Sequence, residues 1–90
     1  MTWRIRFDPA AEKELAKIGR PVAVCVLRFL SDRVAKLDDP RSIGEALKGA
    51  KLGTLWKYRV GDYRIIADIQ DGEFCILVVR IGNRHEVYRR

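Results

Sequence analysis

The chain opens on an alternation: Trp3, Ile5 and Phe7 share one parity, Thr2, Arg4 and Arg6 the other. Period two over β-forming residues predicts a half-buried strand. Asp8-Pro9 follows; aspartate is a good helix N-cap, and proline suits the first helical turn, where its missing N–H is not needed. The helix predicted next carries Ala11, Leu15 and Ile18 on one face and Glu12, Lys13, Glu14 and Lys17 around the rest, with Gly19 as a left-handed cap. Arg20-Pro21 restarts the chain. Val22, Val26, Phe29, Leu30, Val34 and Leu37 then recur at steps of three and four, which predicts a helix of about four turns. Asp38-Asp39-Pro40 stops it, because a residue before proline is pushed out of helical geometry. With two or three residues between them, the two helices must form an antiparallel hairpin.

From Arg41 to Thr54, Gly44, Gly49 and Gly53 punctuate the chain, predicting an ordered loop with one helical turn near Ile43 to Leu47. Period two then returns. Trp56, Tyr58 and Val60 share one face and Leu55, Lys57 and Arg59 the other. Gly61-Asp62 supplies a two-residue hairpin turn. Tyr63, Ile65, Ala67 and Ile69 run back opposite Arg64, Ile66 and Asp68, and Asp71-Gly72 makes a second turn. Phe74 to Ile81 is nearly all apolar, as a strand buried on both sides would be. The expected fold is a single α+β domain over residues 1–90. It has an N-terminal strand, a helical hairpin, then a three-strand antiparallel meander with the helices packed on one face. Trp3, Trp56, Tyr58 and Tyr63 are expected in the core.

Composition narrows the chemistry. Eighteen Lys plus Arg against twelve Asp plus Glu leave a net charge of +6, which favours a polyanionic partner. The apolar runs fall far short of the roughly 20 residues a membrane span needs. The N-terminus lacks the apolar core of a secretory signal, so the expected location is the cytoplasm and no membrane is involved. Cys25 and Cys75 lie too sparsely for a disulfide framework or a metal site and read as buried free thiols. With His85 as the single histidine, a two-histidine nuclease and a histidine-rich metal site are excluded. No Gly-rich phosphate loop is present. Neither a metal nor an organic cofactor is expected.

The cations are informative by position. Lys57 and Arg59 share a strand face, and the tight turn brings Arg64 alongside them. Arg80, Arg84, Arg89 and Arg90 gather at and beyond the last strand. One such residue on a wet sheet face is ordinarily just solvated, and an ion pair of Arg80 with Asp68 or Asp62 is as good a reading as a functional one. The set carries more weight. RNA cleavage without a metal needs help for the attacking 2′-hydroxyl, cations on the phosphoryl oxygens and an acid for the departing 5′-oxygen. Guanidinium groups match phosphate geometry. Lys57, Arg59, Arg64, Arg84 and Tyr88 contain these parts, with Arg80, His85 and Arg89 as further RNA contacts.

Three stretches also resemble the RelE/ParE superfamily of bacterial type II toxins. They are Leu55-Trp56-Lys57-Tyr58-Arg59-Val60-Gly61-Asp62-Tyr63-Arg64-Ile65, the apolar strand through Ile81, and Gly82-Asn83-Arg84-His85-Glu86-Val87-Tyr88. The resemblance covers essentially the whole chain, including the element order and the Leu47-Lys48-Gly49 segment. For the RelE-like branch it implies a ribosome-dependent mRNA endoribonuclease. Lys57 would be a candidate base, Arg64 and Arg84 phosphate stabilisers, Arg84 or Lys57 the acid, and Tyr88 a group orienting or stacking on the nucleotide. It implies an acidic RelB-like antitoxin, with ribosome and mRNA as targets and operator DNA reached only through the antitoxin. The ParE-like branch, which poisons DNA gyrase without nuclease chemistry, shares the Gly-x-Tyr-Arg hairpin, so Arg64 does not discriminate. Lys57, Arg84 and Tyr88 together favour the nuclease. A decayed toxin serving as corepressor is the third reading.

Overall fold

The computed structural model describes residues 2–47 and 55–83. Strand β1 (Arg4–Phe7) leads into helix α1 (Pro9–Lys17) and helix α2 (Arg20–Arg28). A two-residue strand β2 (Glu45–Ala46) precedes β3 (Leu55–Val60), β4 (Tyr63–Gln70) and β5 (Cys75–Asn83). The sheet order is β1-β5-β4-β3-β2. All neighbours run antiparallel except β1, which lies parallel to β5 and pairs Ile5 with Ile76. The α+β expectation therefore holds, with strand β2 added at one edge. Among the described residues no helix is long and apolar enough to cross a membrane.

The core forms where the periodic patterns meet. Ala11 of α1 and Val26 and Leu30 beyond it pack against Tyr58, Ile65, Ala67, Ile76 and Val78, all at most 1% exposed. That places the helices over the sheet's inner face, and each residue buried there removes its apolar surface from water. Asp8 caps α1 as its sequence context requires, its carboxylate accepting the Ala10 N–H at 3.1 Å. Gly19 has φ +93° and ψ 156°, a positive-φ conformation outside the left-handed helical region, and serves as the N-cap of α2, while Ile18 ends α1.

Past Arg28 the second helix does not stay α-helical. Phe29–Val34 widens into a π-helical stretch, and the Ala35 N–H reaches back five residues to the Leu30 carbonyl at 2.8 Å. Val26, Leu30 and Val34 are spaced by four, a step that drifts around a 3.6-residue helix. The wider turn corrects that drift and keeps all three in the core. Cys25 precedes inward-facing Val26 and is exposed, whereas Cys75 is buried; one of the two expected buried thiols is therefore not buried.

The segment expected as a loop with a turn near Ile43 is organised differently. Its helical turn comes earlier, at Pro40–Ser42, and Glu45–Ala46 pairs with Lys57 and Trp56 of β3. The Tyr58 hydroxyl donates to the Pro40 carbonyl at 2.6 Å, and the Trp56 indole N–H donates to the Ile43 carbonyl at 2.8 Å. Arg41 binds Asp71 in bidentate fashion, at 3.0 and 2.8 Å. Those hydrogen bonds hold the Asp71 carboxyl below its ordinary range. Gly44, at φ +82°, lies so close to β3 that a Cβ there would sit 2.5 Å from the Lys57 carbonyl oxygen and 2.9 Å from Trp56 Nε1 and Tyr58 Cδ1.

Two irregularities shape the meander. Its second turn runs through a 3-10 turn at Asp71–Glu73 and ends on Phe74 in the left-handed conformation, so the strand begins at Cys75. Within β5, Ala67 faces Val78 while Ile66 faces Arg80, leaving Val79 as a bulge. Strict alternation from Ile76 and Val78 would aim residue 80 into the core. The bulge moves the phase by one and buries Ile81 instead.

Gly44→Ala must meet the β3 backbone in a disfavoured conformation and should lose about 1–3 kcal/mol in denaturant unfolding. Gly61 is also at positive φ, but a Cβ there meets nothing within 4 Å. Gly61→Ala should therefore lose about 1 kcal/mol from backbone strain alone, less than Gly44→Ala, which adds a clash to the same strain. Burial raises the Tyr58 phenol above its ordinary value of 10.0. The folded state therefore resists ionisation, and the stability this contributes is complete below pH 10 and lost above it. Tyr58→Phe should cost about 1–2 kcal/mol at pH 7, by stranding the Pro40 carbonyl. It should also flatten the decline between pH 10 and 12, read from denaturation midpoints at each pH.

Candidate functional site

The strand registers lay out the outer face of the sheet in rows. Glu45, Lys57, Ile66 and Arg80 occupy successive positions across β2, β3, β4 and β5. The next row runs Arg59, Arg64 and Gly82. Three of the cations singled out in the sequence are thus brought to one end of one face, by the Gly61-Asp62 turn. Gly61 has φ +59° and Asp62 has no positive φ, the dihedral pattern of a II′ hairpin with glycine first.

Arg59 faces Arg64 directly across the ladder. Like charges in that relation repel, and among the described residues neither has a carboxylate partner. The Arg64 guanidinium donates through Nη1 to the carbonyls of Tyr63 and Gly61, at 3.2 and 3.3 Å, which aims the group along its own turn. Lys57 is only 20% exposed in its side chain, and its ammonium lies 3.1 Å from the Glu45 carboxylate. Glu45 itself is exposed.

Beside this row a cleft of about 330 Å³ opens between β3 and the π-helical stretch. Lys57, Tyr58 and Arg59 form one wall, Phe29 and Arg33 the other, and Ile43, Gly44 and Glu45 the end. Its charged lining is three cations and one carboxylate. The Arg33 guanidinium stands 6.0 Å from the Phe29 ring centroid, and that ring in turn meets Tyr58 edge-on at 6.0 Å. The cleft can therefore accept an anion while offering a carboxylate as proton acceptor.

Arg80 does not join this group. Its Nε donates to both oxygens of Glu14, at 3.2 and 3.1 Å, in a second cleft of about 210 Å³ with Lys17, Ile18 and Ile81. The pairing partner is thus Glu14 of α1, and neither Asp68 nor Asp62. Arg84, His85, Tyr88 and Arg89 lie outside the described residues. Two lining residues escaped the sequence reading. A two-residue strand has no periodicity to mark Glu45. Arg33 carried one usable signal, its i+4 spacing from Phe29, which stacks the two on a helix.

Comparison with known proteins adds to this geometry. Residues 5–88 match the family model for the ParE toxin of the type II toxin–antitoxin system, parDE. Toxin RelG of Mycobacterium tuberculosis is 27% identical over 90 residues, covering all of both chains. A crystal structure of the RelBE2 toxin–antitoxin complex of the same organism superposes with a TM-score of 0.82 at 23% identity, over 93% of each chain. The intact E. coli RelBE complex superposes at 0.72 and 23% identity, over 90% of this chain and 95% of that one. At those identities the superpositions establish the fold, and the family model, spanning nearly the whole sequence, establishes the kinship: this chain belongs to the ParE toxin family of type II toxin–antitoxin systems, within the RelE/ParE superfamily.

Proposed function

We propose that this toxin is a ribosome-dependent endoribonuclease that cuts messenger RNA by attack of a 2′-hydroxyl on the adjacent phosphorus. The observation that carries the reading is that Lys57, Arg59 and, among the described residues, one carboxylate, Glu45, line one cleft, with Arg64 opposite Arg59 on the neighbouring strand. The attack forms the 2′-O–P bond, breaks the P–O5′ bond and leaves a 2′,3′-cyclic phosphate and a 5′-hydroxyl. Arg64 and Arg59 stabilise charge gathering on the phosphoryl oxygens, where guanidinium geometry suits two oxygens at once. Lys57, placed 3.1 Å from Glu45 on the cleft wall, is assigned the work of neutralising charge and protonating the 5′-oxygen. That leaves Glu45 as the acceptor of the 2′-hydroxyl proton, a different division of labour from the one the family resemblance implies. The family resemblance adds Arg84 as a phosphate stabiliser and Tyr88 as a group on the nucleotide; both lie outside the described residues.

The partner proposed for the toxin at rest is an acidic antitoxin. Support comes from the net charge of +6 and from the relatives solved as toxin–antitoxin complexes. A second reading follows from the match to the ParE toxin model joined to the ParE-like branch of the resemblance, a non-enzymatic gyrase inhibitor. It requires no reacting groups in the cleft.

Purified toxin added to programmed ribosomes should give discrete cuts by primer extension, with cyclic-phosphate and 5′-hydroxyl ends. Lys57→Ala and Arg64→Ala should each slow cutting by roughly 100- to 1,000-fold. Glu45→Gln should slow it by roughly 100-fold or more and flatten the acid limb of the rate profile, because only the ionised carboxylate accepts the proton. Intact mRNA together with blocked supercoiling by gyrase would sink the nuclease reading and establish the other.

A further inference from the structure

We infer that Arg33 forms, across the cleft from Arg59, a second anion subsite on the helix-side wall, and that its ligand is a backbone phosphodiester of the RNA flanking the one being cut. The inference deepens the nuclease reading and rests on it. Three observations carry it. Arg33 and Arg59 line the same cleft from opposite sides, one from the π-helical stretch and one from β3. Neither forms an ion pair among the described residues, whereas Lys57, which lines the same cleft, is held by Glu45. The Arg33 guanidinium also lies 6.0 Å from the Phe29 ring centroid, which narrows its freedom before any ligand arrives and lowers the entropy cost of binding.

The helix geometry explains how Arg33 reaches the cleft. Phe29 and Arg33 both belong to the π-helical stretch that keeps Leu30 and Val34 buried. Such widened turns recur at functional sites. A single-stranded polynucleotide brings phosphates at regular spacing, so a cleft that grips one scissile phosphate gains affinity from a cation placed for its neighbour. The positive lining and exposed mouth fit that ligand and disfavour a cationic or apolar one.

The test uses the full-length toxin and a short fluorescent single-stranded RNA whose 2′-hydroxyls are methylated, so that it binds without being cut. Arg33→Ala should reduce the slope of log affinity against log salt by about 0.7, the value for one phosphate contact on a single strand. Arg33→Lys should keep the wild-type slope. On programmed ribosomes Arg33→Ala should raise KM about five- to tenfold while kcat stays at the wild-type value. Arg33→Glu should weaken binding further, and unfolding midpoints matching wild type show that each variant folds. An Arg33→Ala protein with the wild-type slope and KM overturns the subsite and leaves the nuclease reading intact. Loss of the slope in a toxin that does not cut ribosome-bound mRNA supports the subsite and removes the nuclease reading. Wild-type protein that fails to bind the RNA overturns both.

Discussion

The approach of Gly44 to β3 is the contact on which the site depends. A backbone carbonyl, an indole nitrogen and a phenol ring edge all lie where a side chain would begin. Only glycine allows this at positive φ. Because the chain passes that close, Ile43 can accept the Trp56 indole N–H, Pro40 can accept the Tyr58 hydroxyl, and Glu45 arrives opposite Lys57. The two aromatic side chains are therefore both core residues and clamps: each buries a ring against the hydrophobic layer and spends its polar tip on the incoming segment. Moving the glycine outward loosens the end of the cleft and separates the carboxylate from the lysine together.

The charge arrangement opposes stability. Arg59 and Arg64 sit opposite each other on adjacent strands, and Arg33 approaches from the helix side without an ion-pair partner among the described residues. Cross-strand repulsion costs some tenths of a kcal/mol, a burden the apolar inner face offsets. Elsewhere the same molecule matches charges: Arg41 with Asp71, Arg80 with Glu14, Arg4 with Glu73. Other described cations, Lys13, Lys17 and Arg20 among them, also stand outside these ion pairs; what sets Arg33 and Arg59 apart is that they line one concavity, where a guanidinium not committed to a carboxylate has more to offer a phosphate.

Glu14 shows how an edge is closed. β1 stops at Phe7, opposite Val78, so among the described residues β5 continues without a strand on that side. An open edge invites pairing with other chains. The Glu14 carboxylate accepts the Ile81 N–H at 2.8 Å and holds the Arg80 guanidinium with the same group. A residue that the helical pattern alone places among solvated charges is in fact half-buried and bound to the sheet. Arg80 is drawn to the helices by this contact and away from the cations at the β3–β4 hairpin.

Much of this was legible in the linear pattern. Period two and period 3.6 are local consequences of strand and helix geometry, and the turn residues Gly61 and Asp62 act within four positions. The strands of the meander, the first helix with its Asp8 cap, the inward faces and the shared face of Lys57, Arg59 and Arg64 therefore follow from the residues alone. What the pattern could not carry depends on contacts between segments distant in sequence. The parallel docking of β1 on β5, the bulge at Val79 that turns Arg80 out and Ile81 in, the two-residue β2 that delivers Glu45, and the placing of Arg33 and Arg59 on opposite walls of one cleft all arise this way. A bulge is one residue of slack resolved only when two strands pair, and a strand of two residues has no period to detect. Tertiary packing decided those positions because their energy lies in the partner and not in the local sequence.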